Sequence, residues 1–222
     1  MSDVWAAGPA LATDVWVTAS ALATAAGTLV LAIATFSSVR VSNRSAKASE
    51  RALQAQIRPV LVSSRLQDPE IKVGFQDIHW VRVQGGRAVA DATDDAIYLA
   101  MGVRNVGNGI AVLDRWDFYP ERPIGTSGHR DPASFYRTTR DIYVPPADNG
   151  FWQGTFREPS DPSFAAAAKV INAREPFTID LLYSDTEGGQ HTISRFSIQP
   201  VGEDGWITAV SRHWNLDRHD PR

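Results

Sequence analysis

The side chains best suited to proton transfer are carboxylates that lie close together in the chain: Asp94 and Asp95, then Asp114, Asp117 and Glu121. Two carboxylates sharing a pocket can hold different protonation states and divide acid work from base work. On an alternating strand Asp114 and Trp116 share one face, and Arg115 and Asp117 the other. That pattern fits a solvated face on which charge opposes charge. The five histidines stand at 79, 129, 191, 213 and 219, and no two are spaced as metal ligands on a helix. There is no cysteine, which removes disulfides, thiolate zinc sites and cysteine nucleophiles. Asp185-Thr186-Glu187-Gly188 sets oxygen ligands beside a glycine, but it lacks the alternating carboxylates and distal glutamate of a calcium loop and reads as a β-turn. No nucleophile elbow or serine–histidine signature occurs. The expectation is therefore no catalytic residue, no metal and no cofactor, with a carboxylate- or histidine-based hydrolase as the alternative.

The run Asn105-Val106-Gly107-Asn108-Gly109 invites a phosphate cradle, but that device needs a following helix. Ile110-Ala111-Val112-Leu113 reads instead as a strand, so a hairpin or bulge turn with glycine and asparagine at positive φ is expected. The binding candidates lie elsewhere. Residues 120–140 form a long connection in which Asp131-Pro132 could start a short helix carrying Phe135, Tyr136, Arg137 and Arg140. Aromatic and arginine side chains dominate binding hot spots. Trp214, with Leu216, sits in an otherwise polar terminus; residues 212–222 are expected to dock on the domain, and the competing view holds Trp214 out for a partner.

These side chains need a scaffold, and the scaffold begins with an apolar helix. From Val15 to Val39 no residue carries a charge. Such a helix is roughly 37 Å long, enough to cross a hydrocarbon core with some tilt. Arg40, Arg44, Lys47 and Arg51 follow it, suited to face lipid headgroups, and no basic residue precedes it. The positive-inside rule then places the N-terminus outside and everything after the basic stretch in the cytoplasm. Ala19, Ala23 and Gly27 form a small-residue stripe that admits a homodimer through the anchor, although an alanine-rich helix makes such stripes by composition alone. Residues 59–222 carry a net charge of −5, against −3 for the whole chain, and an acidic domain is a poor match for nucleic acid.

After Pro59 the apolar period changes from helical to alternating. Strands are predicted over 60–65, 79–83, 97–106, 110–119, 141–144, 151–156, 177–183, 192–199 and 206–210, separated by Gly/Asn/Asp turns. One helix is predicted after Asp161 as N-cap and Pro162 at the first helical position. The fold expected is mainly β: a transmembrane helix and helical stalk, then an antiparallel immunoglobulin-like β-sandwich with one inserted helix. Its parts are an extracytoplasmic tail at 1–14, the membrane span at 15–39, a basic juxtamembrane helix at 40–58, the sandwich at 59–211 and the docked tail at 212–222.

The order of apolar anchor, basic helix, Arg58-Pro59-Val60-Leu61-Val62, Val103 through Ala111, and Tyr183-Ser184-Asp185 with Gly188-Gly189 resembles a group of bacterial single-pass membrane-anchored proteins with a C-terminal β-sandwich domain. The resemblance spans most of the chain and implies architecture but no activity or site residue. An arginine excess over lysine and abundant alanine agree with a GC-rich bacterial genome. The function expected is a membrane-tethered interaction or scaffold module with the bilayer and a protein as partners, and a sensor signalling through anchor dimerisation as a further alternative.

Overall fold

The computed structural model describes residues 8–123 and 128–218, with side chains from Val15 onward except at Arg51 and Ala55. Part of the expected extracytoplasmic tail, residues 124–127 of the long connection, His219 and the rest of the terminus lie outside the described residues. The chain divides into two compact units, one ending at Leu53 and one beginning at Gln54.

The described part of the first unit is helix. Helix α1 runs Gly8–Gln56, 49 residues without a break. After Pro9 its sequence holds no proline, and Pro59 ends it by disfavouring helix in the residue before. Its apolar side chains are uncovered, with Trp16 76% and Phe36 70% exposed. The hydroxyls of Ser20, Thr24, Thr28 and Thr35 donate to carbonyls three or four residues back, which satisfies them inside the helix itself. By length and composition this is one helix able to cross a membrane.

The second unit is mainly β, and its strands pair antiparallel throughout. In chain order they are β1 Leu61–Ser63, β2 Ile71–Gly74, β3 Trp80–Val83, β4 Arg87–Ala92, β5 Ile97–Asn105 and β6 Ala111–Tyr119. There follow β7 Tyr136–Val144, β8 Asn149–Phe156, helix α2 Pro162–Asn172, β9 Phe177–Ser184, β10 His191–Val201 and β11 Gly205–Asn215. One hydrogen-bonded path runs β5-β4-β11-β10-β9-β6-β7, with β1 and β8 also on β5. The sheet curls, and its edges meet where Arg140 on β7 donates to Gln153 on β8 at 2.9 Å.

Inside the curl lies the main core. Trp152 and Tyr183 are fully buried in it, and Trp116 packs edge-on against Trp152 with ring centres 5.2 Å apart. Helix α2 adds Phe164, Val170 and Ile171. The Asp161 side chain caps this helix, accepting from Ser163 N–H at 2.8 Å. Strands β5, β9 and β10 are buried on both faces, so their burial does not alternate. The two-stranded β2–β3 sheet covers the outer face of β5, packing Val73, Val81 and Val83 against Tyr98 and Ala100. Phe135 covers the outer face of β9 and β10, together with Leu182, Ile193 and Trp214.

Three local expectations are corrected. Strands β2 and β4 were not among those predicted. Asp131-Pro132 starts only a 3-10 turn, Pro132–Ser134, and the chain is extended again from Tyr136, so Arg137 and Arg140 lie on a strand rather than a helix. The glycine run makes no hairpin, because β5 and β6 do not pair with each other, and no residue in it has positive φ. Glycine is required there by contact: a Cβ on Gly109 would stand 1.7 Å from the Ile57 carbonyl oxygen, and one on Gly107 2.2 Å from that of Arg58.

Candidate functional site

The outer face of the sheet carries a row of four charged residues in register across four strands. Asp117 on β6 pairs with Asp180 on β9, Asp180 with Arg195 on β10, and Arg195 with Arg212 on β11. Like charges thus stand side by side twice, an arrangement that destabilises a sheet unless other contacts offset it. The offsetting contacts are specific. Arg195 Nε and Nη2 donate to Asp180 Oδ1 and Oδ2, both at 2.7 Å, a bidentate pair with Asp180 fully buried. The Arg195 guanidinium lies over Tyr119 at 4.9 Å and over Trp214 at 4.7 Å. Arg130 lies over Tyr119 at 4.2 Å and donates to Asp117 at 3.1 and 3.2 Å. Arg212 lies over Trp214 at 5.0 Å. Arginine and aromatic side chains thus alternate from Arg212 through Trp214, Arg195 and Tyr119 to Arg130.

The neighbouring row, Tyr119, Thr178 and Ser197, is buried too, and the hydroxyls of Thr178 and Ser197 have no hydrogen-bond partner among the described residues. Backbone groups of the connecting segment complete the cover: Gly128 carbonyl accepts from Arg195 at 3.3 Å, and Arg130 N–H donates to Tyr119 Oη at 3.0 Å. Burial pushes the Asp117 carboxyl above its ordinary range despite Arg130. Burial and the Asp180 charge push the Tyr119 phenol up to about 12. Burial opposes the Arg195 charge, but Asp180 overrides it, and the guanidinium is held protonated more firmly than usual.

Each carboxylate is committed to a guanidinium, while the members that reach solvent are cationic: Arg130 has a side chain 52% exposed, and Arg212 is half-buried. The structure draws the residues singled out in the sequence into different places. Phe135 and Trp214 are buried in the small cluster beside this row, at 4% and 6% exposure. Tyr136 packs tilted against Trp116, and its hydroxyl hydrogen-bonds with the Asp161 carboxylate at 3.1 Å and the Ser163 hydroxyl at 2.8 Å. Arg137 is exposed, and Arg140 lies over Phe151 at 5.0 Å. Arg40, Arg44 and Lys47 are exposed on α1, and the Arg51 side chain lies outside the described residues.

Of the clustered acids, only Asp117 joins a buried network. Asp94, Asp95, Asp114 and Glu121 are exposed. Asp114 is the extra residue at a register shift between Leu113 and Arg115, so Leu113 and Trp116 both face the core and Asp114 does not share their side. The face bearing Asp117 is covered rather than solvated.

Two further clusters went unread in the sequence because register, not spacing, creates them. Ser194 pairs across strands with His213, and its Oγ stands 2.7 Å from Nδ1. The same Oγ meets Tyr183 Oη at 2.8 Å, and Tyr183 Oη accepts from Leu61 N–H at 3.0 Å. Ser194 is fully buried, while His213 is half-buried. The second cluster joins the start of the domain to its end: Arg58 donates to Thr192 at 3.1 Å, to Asn215 at 3.0 Å, and to Asp217. The Arg58 charge overcomes partial burial and holds the Asp217 carboxyl below its usual range.

Asp185 accepts from the N–H groups of Gly189 and Gln190 at 2.9 and 3.4 Å, which makes its segment a turn closed on itself. Among the described residues no group of three or more His, Asp or Glu side chains is placed to hold a metal ion. An open groove lined by Arg82, Arg87, Glu203 and Asp204 carries both signs of charge. No family model, curated protein or solved structure matches this chain.

Proposed function

We propose that the chain is a membrane-tethered interaction module: α1 crosses the bilayer with its N-terminus outside, and the β domain recruits a protein partner in the cytoplasm. One observation carries the reading. An apolar stretch of helix is exposed along its whole length, and lipid supplies the cover that the chain does not. The basic residues that follow it support the orientation. Exposed Arg130 and Arg137, with half-buried Arg212, make the arginine-rich outer face the first candidate for the partner surface, suited to an acidic protein. The expected immunoglobulin-like sandwich is supported locally, where β2–β3 forms a second layer over β5. Kinship with bacterial membrane-anchored β-domain proteins belongs to the same proposal. The hydrolase alternative gains nothing from Ser194 and His213, because the serine is fully buried.

Fusions at the C-terminus test the orientation. A fluorescent protein there is expected to light up and a periplasm-type phosphatase to stay inactive; an active phosphatase reverses the assignment. Photocrosslinking from position 137 in native membranes is expected to trap a discrete cytoplasmic protein. A folded, membrane-integrated chain that yields no adduct there would remove the outer face as the partner surface.

A further inference from the structure

The turn between β2 and β3 presents a residue that neither conformation nor burial favours. Ile78 has φ of 65° and is 84% exposed. The left-handed region costs a β-branched side chain most, so glycine or asparagine would suit this position better on conformational grounds. The strain is held from below. Phe75 N–H donates to the His79 carbonyl at 2.8 Å, and Ile78 N–H to that of Phe75 at 3.2 Å. Tyr98 Oη donates to the Asp77 carboxylate, which also accepts from Arg157 at 3.0 Å. These bonds depress the Asp77 pKa to about 2, so the carboxylate stays charged and the turn stays tied. Two residues on, Trp80 is 56% exposed, with the Lys72 ammonium 4.5 Å from its ring centre.

We propose that this turn is a second membrane contact, in which Ile78 and Trp80 enter the interfacial zone of the bilayer and Lys72 meets the headgroups. The inference rests on the reading of α1 as a membrane anchor. Three considerations favour lipid over a protein as the occupant. An aliphatic tip, a tryptophan and a lysine are the chemistry of the interface, where an indole sits at headgroup depth and an ammonium meets phosphate. Two exposed side chains, Ile78 and Trp80, offer far less than the roughly 800 Å² per partner that a stable protein complex buries. A chain already tethered to a bilayer meets it at high effective concentration, so a small contact suffices.

The absence of cysteine makes the test clean, since Gln76→Cys places one nitroxide beside Ile78 and leaves Ile78 and Trp80 intact. The full-length chain is reconstituted into vesicles containing anionic lipid and floated on a density gradient. The label is then read by collision with oxygen and with a water-soluble nickel chelate. The expected result is a collision ratio raised toward that of the interface, returning to the aqueous value when Ile78→Ser and Trp80→Ala are added. A chain that floats but keeps an aqueous label overturns the contact and leaves the anchor standing. A chain that does not float fails at the anchor itself, and the proposal falls with it.

Discussion

A guanidinium and a carboxylate give up several kcal/mol of hydration each when buried, and Arg195 and Asp180 recover it through two short charge-assisted bonds and two aromatic faces. Arg195→Met strands Asp180 inside the sheet and is expected to cost about 3–5 kcal/mol. Arg195→Met combined with Asp180→Leu removes both charges and is expected to cost less than the single change. Denaturant melts followed by tryptophan fluorescence make the comparison, and a double variant as damaged as the single would mean that ring packing, not charge, dominates.

Asp117 offers a pH test. Its folded pKa stands above the ordinary value, so its contribution to stability is full below about pH 4 and is lost as pH rises through the folded value. Asp77 and Asp217 act the other way, with folded values lowered; their contributions hold above the ordinary range and fade as pH falls, for Asp77 through about 2. The melting temperature of the native chain minus that of Asp117→Asn is therefore expected to fall as pH rises above about 4. A constant difference would show that Arg130 compensates fully. From the sequence Asp117 stood out, and it does lie on the face opposite Trp116. What spacing could not supply was the cover over that face, which comes from residues 128–135.

At the scale of elements, strong alternation and bulky β-branched or aromatic residues were legible, and weak strands were not. Strand β4, Arg-Ala-Val-Ala-Asp-Ala, has little β propensity and exists because it slots between β5 and β11. Strand β2 is four residues long, and its apolar face holds only Ile71 and Val73. The first half of β7 was hidden by the Asp131-Pro132 cap, a helix-start signal that is spent within one 3-10 turn. The run from Asn105 to Gly109 was legible as a turn but not by its cause, since the backbone it must admit, Ile57 to Pro59, lies some fifty residues away in sequence. Gly109→Ala would place a methyl group against a carbonyl with no room to yield and is expected to cost on the order of 3 kcal/mol. Gly189→Ala, at ordinary φ with its nearest contact at 4.0 Å, is expected to be near neutral. Equal melting temperatures for the two variants would refute the close-approach account.

Across the whole chain, the apolar helix and the β-rich domain were legible because each rests on a long-range pattern, 25 uncharged residues in one and repeated short alternations in the other. The border between them was not. Pro59 marks where helix must stop, but the β domain's contacts begin earlier: Gln190 Nε2 donates to the Gln54 carbonyl at 2.7 Å, and Arg58, 7% exposed, binds Thr192, Asn215 and Asp217. The first residues of the domain thereby hold its last strand, so strand β11 and the segment before β1 share one fate. Fragments 54–218 and 59–218 separate the two accounts of where the domain starts. Both are expected to show mainly β circular dichroism. The shorter one gives up the Arg58 bonds and leaves Asp217 without its guanidinium, a loss of about 2–4 kcal/mol at the net value of hydrogen bonds to charged groups. Asp217→Asn in the longer fragment is expected to reproduce part of that loss, because Arg58 keeps Thr192 and Asn215. Identical midpoints for 54–218 and 59–218 would place the start of the domain at Pro59 and reduce Arg58 to a bystander at the end of the stalk.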